Sequence, residues 1–187
     1  MSGHGKEVEI KLAMTDAKSA RTLLRRGGFR IRHKRVFEAN TVFDTADMAL
    51  RNTGRLLRLR SAGKKVTLTY KGVVIAGRHK SREEIETSLT DEGAGAAIFQ
   101  SLGYLPIFRY EKYRTEFHDG AGGGLAMLDE TPIGVYLELE GAPRWIDATA
   151  RRLGFQRSDY ITESYGQLYF VWCEDHGTHP THMVFGE

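Results

Sequence analysis

The stretch Glu7-Val8-Glu9-Ile10-Lys11-Leu12 alternates charged and apolar residues without a break. Successive side chains leave a strand on opposite sides, so a strand here sets Glu7, Glu9 and Lys11 on one face and Val8, Ile10 and Leu12 on the other. The alternation recurs along the chain. Arg58 and Arg60 oppose Leu57 and Leu59, and Thr67, Thr69 and Lys71 oppose Val66, Leu68 and Tyr70. Glu84 and Glu86 flank Ile85. Lys112, Arg114 and Glu116 alternate with Tyr113, Thr115 and Phe117, and Glu138 and Glu140 with Leu137 and Leu139; Asp129 ends the strand before these last two. Polar-out alternation is ordinary for a half-buried antiparallel strand. This chain also carries amphipathic helices, which need an apolar surface to cover. If they cover the apolar face of the sheet from outside, the charged face lines the inside of a barrel.

Working outward, Thr15 or Asp16 can cap a helix with Ala17, Ala20, Leu23 and Leu24 on its apolar side, stopped at Gly27-Gly28. An extended stretch follows from Phe29 to about Thr45, then a turn over Leu50–Gly54. Arg55–Ser61 and Lys65–Lys71 read as a hairpin around Ala62-Gly63-Lys64, and Val73–His79 as a mobile loop. Glu83–Leu89 is a strand, and Thr90 caps a second helix that ends at Gly103. Strands at Ile107–His118 and Leu125–Glu130 flank a Gly-rich run, Asp119–Gly124. That run opens no helix and lacks a Lys-Ser/Thr ending, so it reads as a floppy hairpin tip and not a phosphate loop. Val135–Glu140 is a strand, Pro143 begins a third helix, and Thr162 caps a last one through Trp172. No linker splits the chain: residues 1–175 read as one domain, with 176–187 as a C-terminal tail.

The bounds set by composition are broad. The chain has 187 residues, is 41% hydrophobic and 27% charged, and carries a net charge of +3, which demands no nucleic acid and leans toward an anionic ligand. Cys173 is the only cysteine, so no internal disulfide forms. No apolar run approaches the ~20 residues of a membrane helix. A cytoplasmic protein in a reducing compartment is expected, with no nucleic-acid or membrane partner; a homodimer stays open.

The inward faces carry six cations (Lys11, Arg58, Arg60, Lys71, Lys112 and Arg114) and seven carboxylates (Glu7, Glu9, Glu84, Glu86, Asp129, Glu138 and Glu140). A barrel of about eight strands leaves room for side chains and one small ligand. Burying so many charges without a ligand is costly. A polyanion with divalent cations offsets that cost: Arg and Lys hold phosphate oxygens, and clustered carboxylates hold Mg²⁺ or Mn²⁺. This parts list suits phosphoanhydride chemistry, and not acyl transfer, redox work or DNA reading.

At these residues a family resemblance appears. Glu7-Val8-Glu9-Ile10-Lys11 resembles the Glu-x-Glu-x-Lys signature of the CYTH superfamily, the triphosphate tunnel metalloenzymes. The later order is similar too: Phe43-Asp44-Thr45, Leu57-Arg58-Leu59-Arg60, Tyr70-Lys71-Gly72, Glu84-Ile85-Glu86, Lys112-Tyr113-Arg114, Asp129, Tyr136 to Glu140, and Ser164-Tyr165 with Leu168. Ala39 to Asp44 departs, lacking the acidic residue and tyrosine that members often show before Phe-Asp. The resemblance implies an α+β fold: an eight-stranded antiparallel β-barrel with helices packed outside, binding a triphosphate with Mg²⁺ or Mn²⁺. By position, Lys11, Arg58, Arg60, Lys71, Lys112 and Arg114 would bind phosphates, and Glu7, Glu9, Asp129, Glu138 and Glu140 would bind metal or position a water. Glu84 and Glu86 could do either job. Glu9, Glu138 and Lys11 are the expected catalytic groups. The expected reaction is hydrolysis of an inorganic, thiamine or nucleoside triphosphate. The alternatives are a class IV adenylate cyclase, which makes cyclic AMP and pyrophosphate, and a non-catalytic polyphosphate or nucleotide binder.

Other residues read more plainly. Tyr104, Phe108, Tyr110 and Phe117 are expected in packing, with Tyr165 and Tyr169 near a tunnel mouth. Cys173 is a packed thiol. His176, His179 and His182 share no helical face and read as part of a tail or lid. The basic run from Arg25 to Arg35 is a solvated helix end and strand face.

Overall fold

A computed structural model describes residues 3–75, 77–120 and 122–186. Ala76 and Ala121, which fall in the loop and the Gly-rich run above, and Glu187 of the tail lie outside the described residues. Eight strands close a barrel in the order β1-β5-β4-β3-β2-β6-β7-β8. They are β1 (Gly3–Met14), β2 (Arg30–Asp44), β3 (Leu56–Ala62), β4 (Lys65–Lys71), β5 (Lys80–Leu89), β6 (Leu105–His118), β7 (Gly124–Thr131) and β8 (Gly134–Gly141). Every neighbouring pair is antiparallel. β2 to β5 and β6 to β8 are two meanders; β1 closes the seam by pairing with both β5 and β8. Closure leaves no open sheet edge.

Helices α1 (Ala17–Arg26), α2 (Ala49–Asn52), α3 (Glu92–Ser101), α4 (Pro143–Arg152) and α5 (Tyr165–His176) lie outside. The apolar strand faces meet α1 and α4 in one buried layer, with Ile10, Leu12, Leu24, Leu128, Leu137, Leu139 and Ile146 all at its centre. The greasy layer is thus between sheet and helices, and the barrel interior is left to the charges. Asp16 caps α1 through the Ser19 amide, as expected. Two caps differ from expectation. Asp91 and not Thr90 caps α3, and Ser164 and not Thr162 caps α5 through a capping box with Gln167. In both cases the competing acceptor lies one or two residues closer to the first helical turn.

Three loop expectations are corrected. Leu50–Gly54 contains the short helix α2. Its amide groups from Leu50 and Arg51 are capped by the Asp44 carboxylate. The two ends of the Gly-rich run are held: Trp145 Nε1 donates to Asp119 at 3.0 Å, and Gly123 and Gly124 pack so closely on the indole that any Cβ there would collide with it. The segment before β5 is tied down as well, by an Ile75–Ser81 bridge and by His79 Nε2 at 2.8 Å from Asp147 on α4. Beyond α5, the chain returns along β6. Met183 is fully buried and exchanges backbone hydrogen bonds with Arg109 and Glu111, so residues 180 and 181 reach the barrel rim. Cys173 is a packed thiol, 1% exposed.

Candidate active site

The register of β1 explains how one strand feeds the whole interior. Glu9 lies opposite Lys80 of β5 and Glu140 of β8, and Lys11 lies opposite Glu138. Arg58 and Arg60 of β3 face Thr69 and Thr67 of β4, and Lys71 faces Glu84 of β5. The inward residues enclose a cavity of about 540 Å³, lined by Glu7, Glu9, Lys11, Arg58, Arg60, Lys71, Lys112, Arg114, Glu138 and Glu140 among others. Glu84, Glu86 and Asp129 sit behind this lining, holding its cations. All the anticipated residues therefore converge.

Their contacts form a mesh. Lys71 Nζ donates to Glu7 at 2.7 and 2.8 Å and lies 3.2 Å from Glu84. Lys11 bridges Glu9 at 3.5 Å and Glu138 at 3.4 Å. Arg114 Nε donates to Asp129 at 2.7 Å, and its Nη2 also bonds Glu138. Asp129, fully buried, further accepts from Lys112 Nζ at 2.8 Å and from the Tyr165 hydroxyl at 2.7 Å. Arg58 donates to Thr69 at 3.0 Å and to the Tyr110 hydroxyl at 3.2 Å, with Glu86 3.5 Å away. Tyr110, expected in packing, thus turns inward to the charged face. Its ring still stacks on Phe108.

Sequence reasoning missed several members. Lys80 reaches Glu9 at 3.2 Å and Arg82 reaches Glu7 at 3.0 Å. β5 starts three residues earlier than expected, and carrying the Glu84–Glu86 alternation back through Arg82 to Lys80 would have found both. Glu38 and Asn40 also face in, toward Arg60 at 3.5 and 3.0 Å. Their period-2 signal was masked by the basic run before them and by register shifts in β2.

The electrostatics separate paired from unpaired acids. Burial disfavours every charge here. Against it, Lys11 holds Glu9 well below the usual carboxylate range, and Arg60 and Lys112 hold Glu38 down at about 2. Arg114, Lys112 and Lys11 likewise keep Glu138 ionised. Glu140 is the exception. Burial, then the negative charges of Glu7 and Glu9, push it up to about 7, and no hydrogen bond or ion pair holds it among the described residues. Burial and neighbouring Lys11 bring Lys80 down to about 8. Despite burial, Arg58 brings the Tyr110 phenol down to about 8.

Two buried atoms lack hydrogen-bond partners in this mesh: Arg58 Nε, a donor, and Glu38 Oε2, an acceptor. An orphaned guanidinium N–H beside a cavity is a place for an anionic oxygen. For a cation the donor set is all oxygen, which suits hard divalent ions. No group of three or more His, Cys, Asp or Glu among the described residues is already drawn together as a metal cage. The carboxyl of Glu140, which no ion pair holds among the described residues, lies opposite Glu9 across the β1–β8 seam, and the two offer oxygens to such an ion.

Residues 5–165 match the CYTH domain family. The chain is a member of the CYTH family. A relative from Methanocaldococcus jannaschii, named as a candidate adenylate cyclase, is 32% identical over 134 residues, covering 72% of this chain and 75% of its own. Among solved structures, the PH1819 protein of Pyrococcus horikoshii superposes with a TM-score of 0.73 at 23% identity, covering 88% of this chain and 98% of its own. A Hippeastrum protein described as a candidate adenylyl cyclase with a dominant triphosphatase activity superposes with a TM-score of 0.63 at 17% identity, covering 96% and 98%. These structures share the fold of this chain. None of the described helices is long and apolar enough to cross a membrane.

Proposed function

We propose that the tunnel binds a triphosphate with a divalent cation, Mg²⁺ or Mn²⁺, and hydrolyses a phosphoanhydride bond. The observation that carries this reading is Arg58, a buried guanidinium whose Nε has no hydrogen-bond partner and which faces a cavity lined by nine further Lys and Arg residues. Arg58, Arg60, Lys71, Lys112, Arg114 and Lys11 bind phosphate oxygens and hold the chain of phosphates in line for attack. Glu84 and Glu86 keep Lys71 and Arg58 aimed. Asp129 is fully occupied by Lys112, Arg114 and Tyr165, and in this reading it orients those cations. Glu7, Glu9, Glu138 and Glu140 would hold the metal ion, which neutralises charge on the phosphates when bound. Glu9 and Glu138 hold the attacking water, and Lys11 between them stabilises the leaving oxygen.

Cyclisation is the second reading. It is favoured by the name of the Methanocaldococcus relative, as hydrolysis is by the triphosphatase activity of the Hippeastrum protein. Purified protein with Mg²⁺ or Mn²⁺ is offered tripolyphosphate, thiamine triphosphate and ATP, and phosphate, pyrophosphate and cyclic AMP are measured. Phosphate release supports hydrolysis, whereas pyrophosphate with cyclic AMP replaces it by cyclisation. Tight binding without any product would make the protein a sensor. We further propose a cytoplasmic protein with no nucleic-acid or membrane partner.

A further inference from the structure

We infer that the Tyr110 hydroxyl is a phosphate-binding group of the tunnel: it donates its proton to a phosphate oxygen seated beside the unpartnered Nε–H of Arg58. This rests on reading the tunnel as a triphosphate site, and it adds a neutral donor to a set of cations. Tyr110 lines the cavity and is 8% exposed. Its oxygen accepts from Arg58 Nη1 at 3.2 Å. Arg58 supplies the proton of that bond, so the phenol's own proton is left over, and no acceptor receives it among the described residues. A hydroxyl can donate and accept at once, and a buried donor left without an acceptor is costly.

The other hydroxyl on Arg58 shows what is missing. Thr69 accepts from Arg58 Nη2 at 3.0 Å and passes its own proton to the Glu86 carboxylate at 2.8 Å. Two hydroxyls thus flank one guanidinium. One of them has an anionic oxygen to donate to, and the other lines the cavity without one. Arg58 Nε lacks an acceptor as well, and the oxygens of one phosphate would answer both donors. The phenol is held in place for that. Asn40, fully buried, donates to the Tyr110 backbone carbonyl at 3.3 Å and accepts from Arg60 Nε at 3.0 Å, so one side chain sets both residues. The rings of Phe108 and Tyr165 lie 5.9 and 6.3 Å from that of Tyr110, and Met183 of the C-terminal segment bridges its backbone.

Charge around the phenol permits this role in neutral solution and removes it in alkali. The cations facing it are Arg58 and Arg60 from β3 and Lys112 from its own strand; α5 adds the Tyr165 phenol, and β2 and the C-terminal segment set Asn40 and Met183 against it. Burial raises the Tyr110 phenol, and the three cations more than offset that, bringing it down to about 8. Burial raises Tyr136, Tyr160 and Tyr165 instead. Above about 8 the Tyr110 proton is gone, and a negative charge confronts the phosphate. Lys80, brought down to about 8 by burial and Lys11, loses its charge over the same range.

The test uses the full chain with tripolyphosphate, in wild type and in Tyr110→Phe, which keeps the ring and removes the hydroxyl. With Mg²⁺ at pH 7, KM is expected to rise roughly tenfold to a hundredfold, the range for losing one hydrogen bond to a charged group, while kcat changes little. The rise of KM above about pH 8 should shrink in the variant; Lys80 titrates in both proteins and cancels from the comparison. A direct reading comes from phenolate absorbance in the ultraviolet. Wild type minus Tyr110→Phe isolates this group among the eight tyrosines. Saturating tripolyphosphate should move its ionisation upward by about one pH unit or more, because an anion beside a phenol disfavours phenolate. If Tyr110→Phe does not fold, the same shift between free and bound wild type decides the matter. An unmoved ionisation with tripolyphosphate bound, or an unchanged KM, overturns the inference and leaves the triphosphate reading standing. Absence of any tripolyphosphate binding by wild type, judged by calorimetry with Mg²⁺, fails that reading and this inference with it.

Discussion

Replacing Glu140 by Gln should make the metal-free protein more stable at alkaline pH and leave it unchanged in acid. Glu140 is mostly enclosed, faces Glu7 and Glu9, and has no cation of its own, so its carboxyl is raised from 4.5 to about 7. A carboxyl raised on folding binds its proton more tightly in the folded chain than in the unfolded one. Stability from this group is therefore complete below about 4.5 and is lost as pH climbs through about 7. At ~1.4 kcal/mol per pH unit, the change amounts to about 3 kcal/mol at pH 8 and above. Gln is neutral at every pH and removes that loss. Urea unfolding in EDTA, run on both proteins from pH 4 to pH 8.5, measures the difference. The two should coincide at pH 4 and separate through pH 5–7, Glu140→Gln ending up to about 3 kcal/mol ahead. Subtracting one profile from the other cancels Glu38 and Glu138, whose lowered values act with opposite sign, stabilising above 4.5 and failing in stronger acid. Parallel curves across the whole range would show that Glu140 is not an uncompensated charge in the tunnel.

Other outcomes follow from the same mesh. Arg58→Ala is expected to raise KM for every triphosphate by tenfold or more, while Glu9→Ala mainly removes the metal-dependent rate; steady-state kinetics across a Mg²⁺ titration separate the two, and unaltered turnover in both would refute the site. Asp129→Asn leaves Lys112 and Arg114 short of their buried partner and should cost about 3 kcal/mol of unfolding free energy, read by denaturant melts. Gly124→Ala places a Cβ 2.4 Å from the Glu140 carbonyl oxygen and 2.5 Å from the Trp145 ring, so its thermal midpoint should fall by several degrees; an unmoved midpoint would mean that this end of the Gly-rich run is not held.

The barrel was legible because its signal is periodic and repeated. Each of β1, β3, β4, β6 and β8 carries a two-residue alternation with charge on one side, and the helices left the apolar side only one place to go. What stayed hidden was set by contacts across the fold. Lys80 and Arg82 follow a stretch rich in glycine and valine that reads as loop, and only pairing with β1 extends the strand over them. Tyr110 has the composition of a packing residue; its inward aim comes from sharing a strand face with Lys112 and Arg114. The hold on Asp119, Gly123 and Gly124 comes from Trp145, which is far away in sequence and invisible to local turn chemistry.

The seam between β1 and β8 brings residue 9 against residue 140 and residue 11 against residue 138. On a ribosome adding ~5–20 residues per second, the first strand waits on the order of ten seconds before its second partner exists. Throughout that interval Ile10 and Leu12 have neither the neighbouring strand nor α4 over them. Such nonlocal closure folds slowly, and the nascent chain is at its most adhesive until residue 150 or so has cleared the exit port.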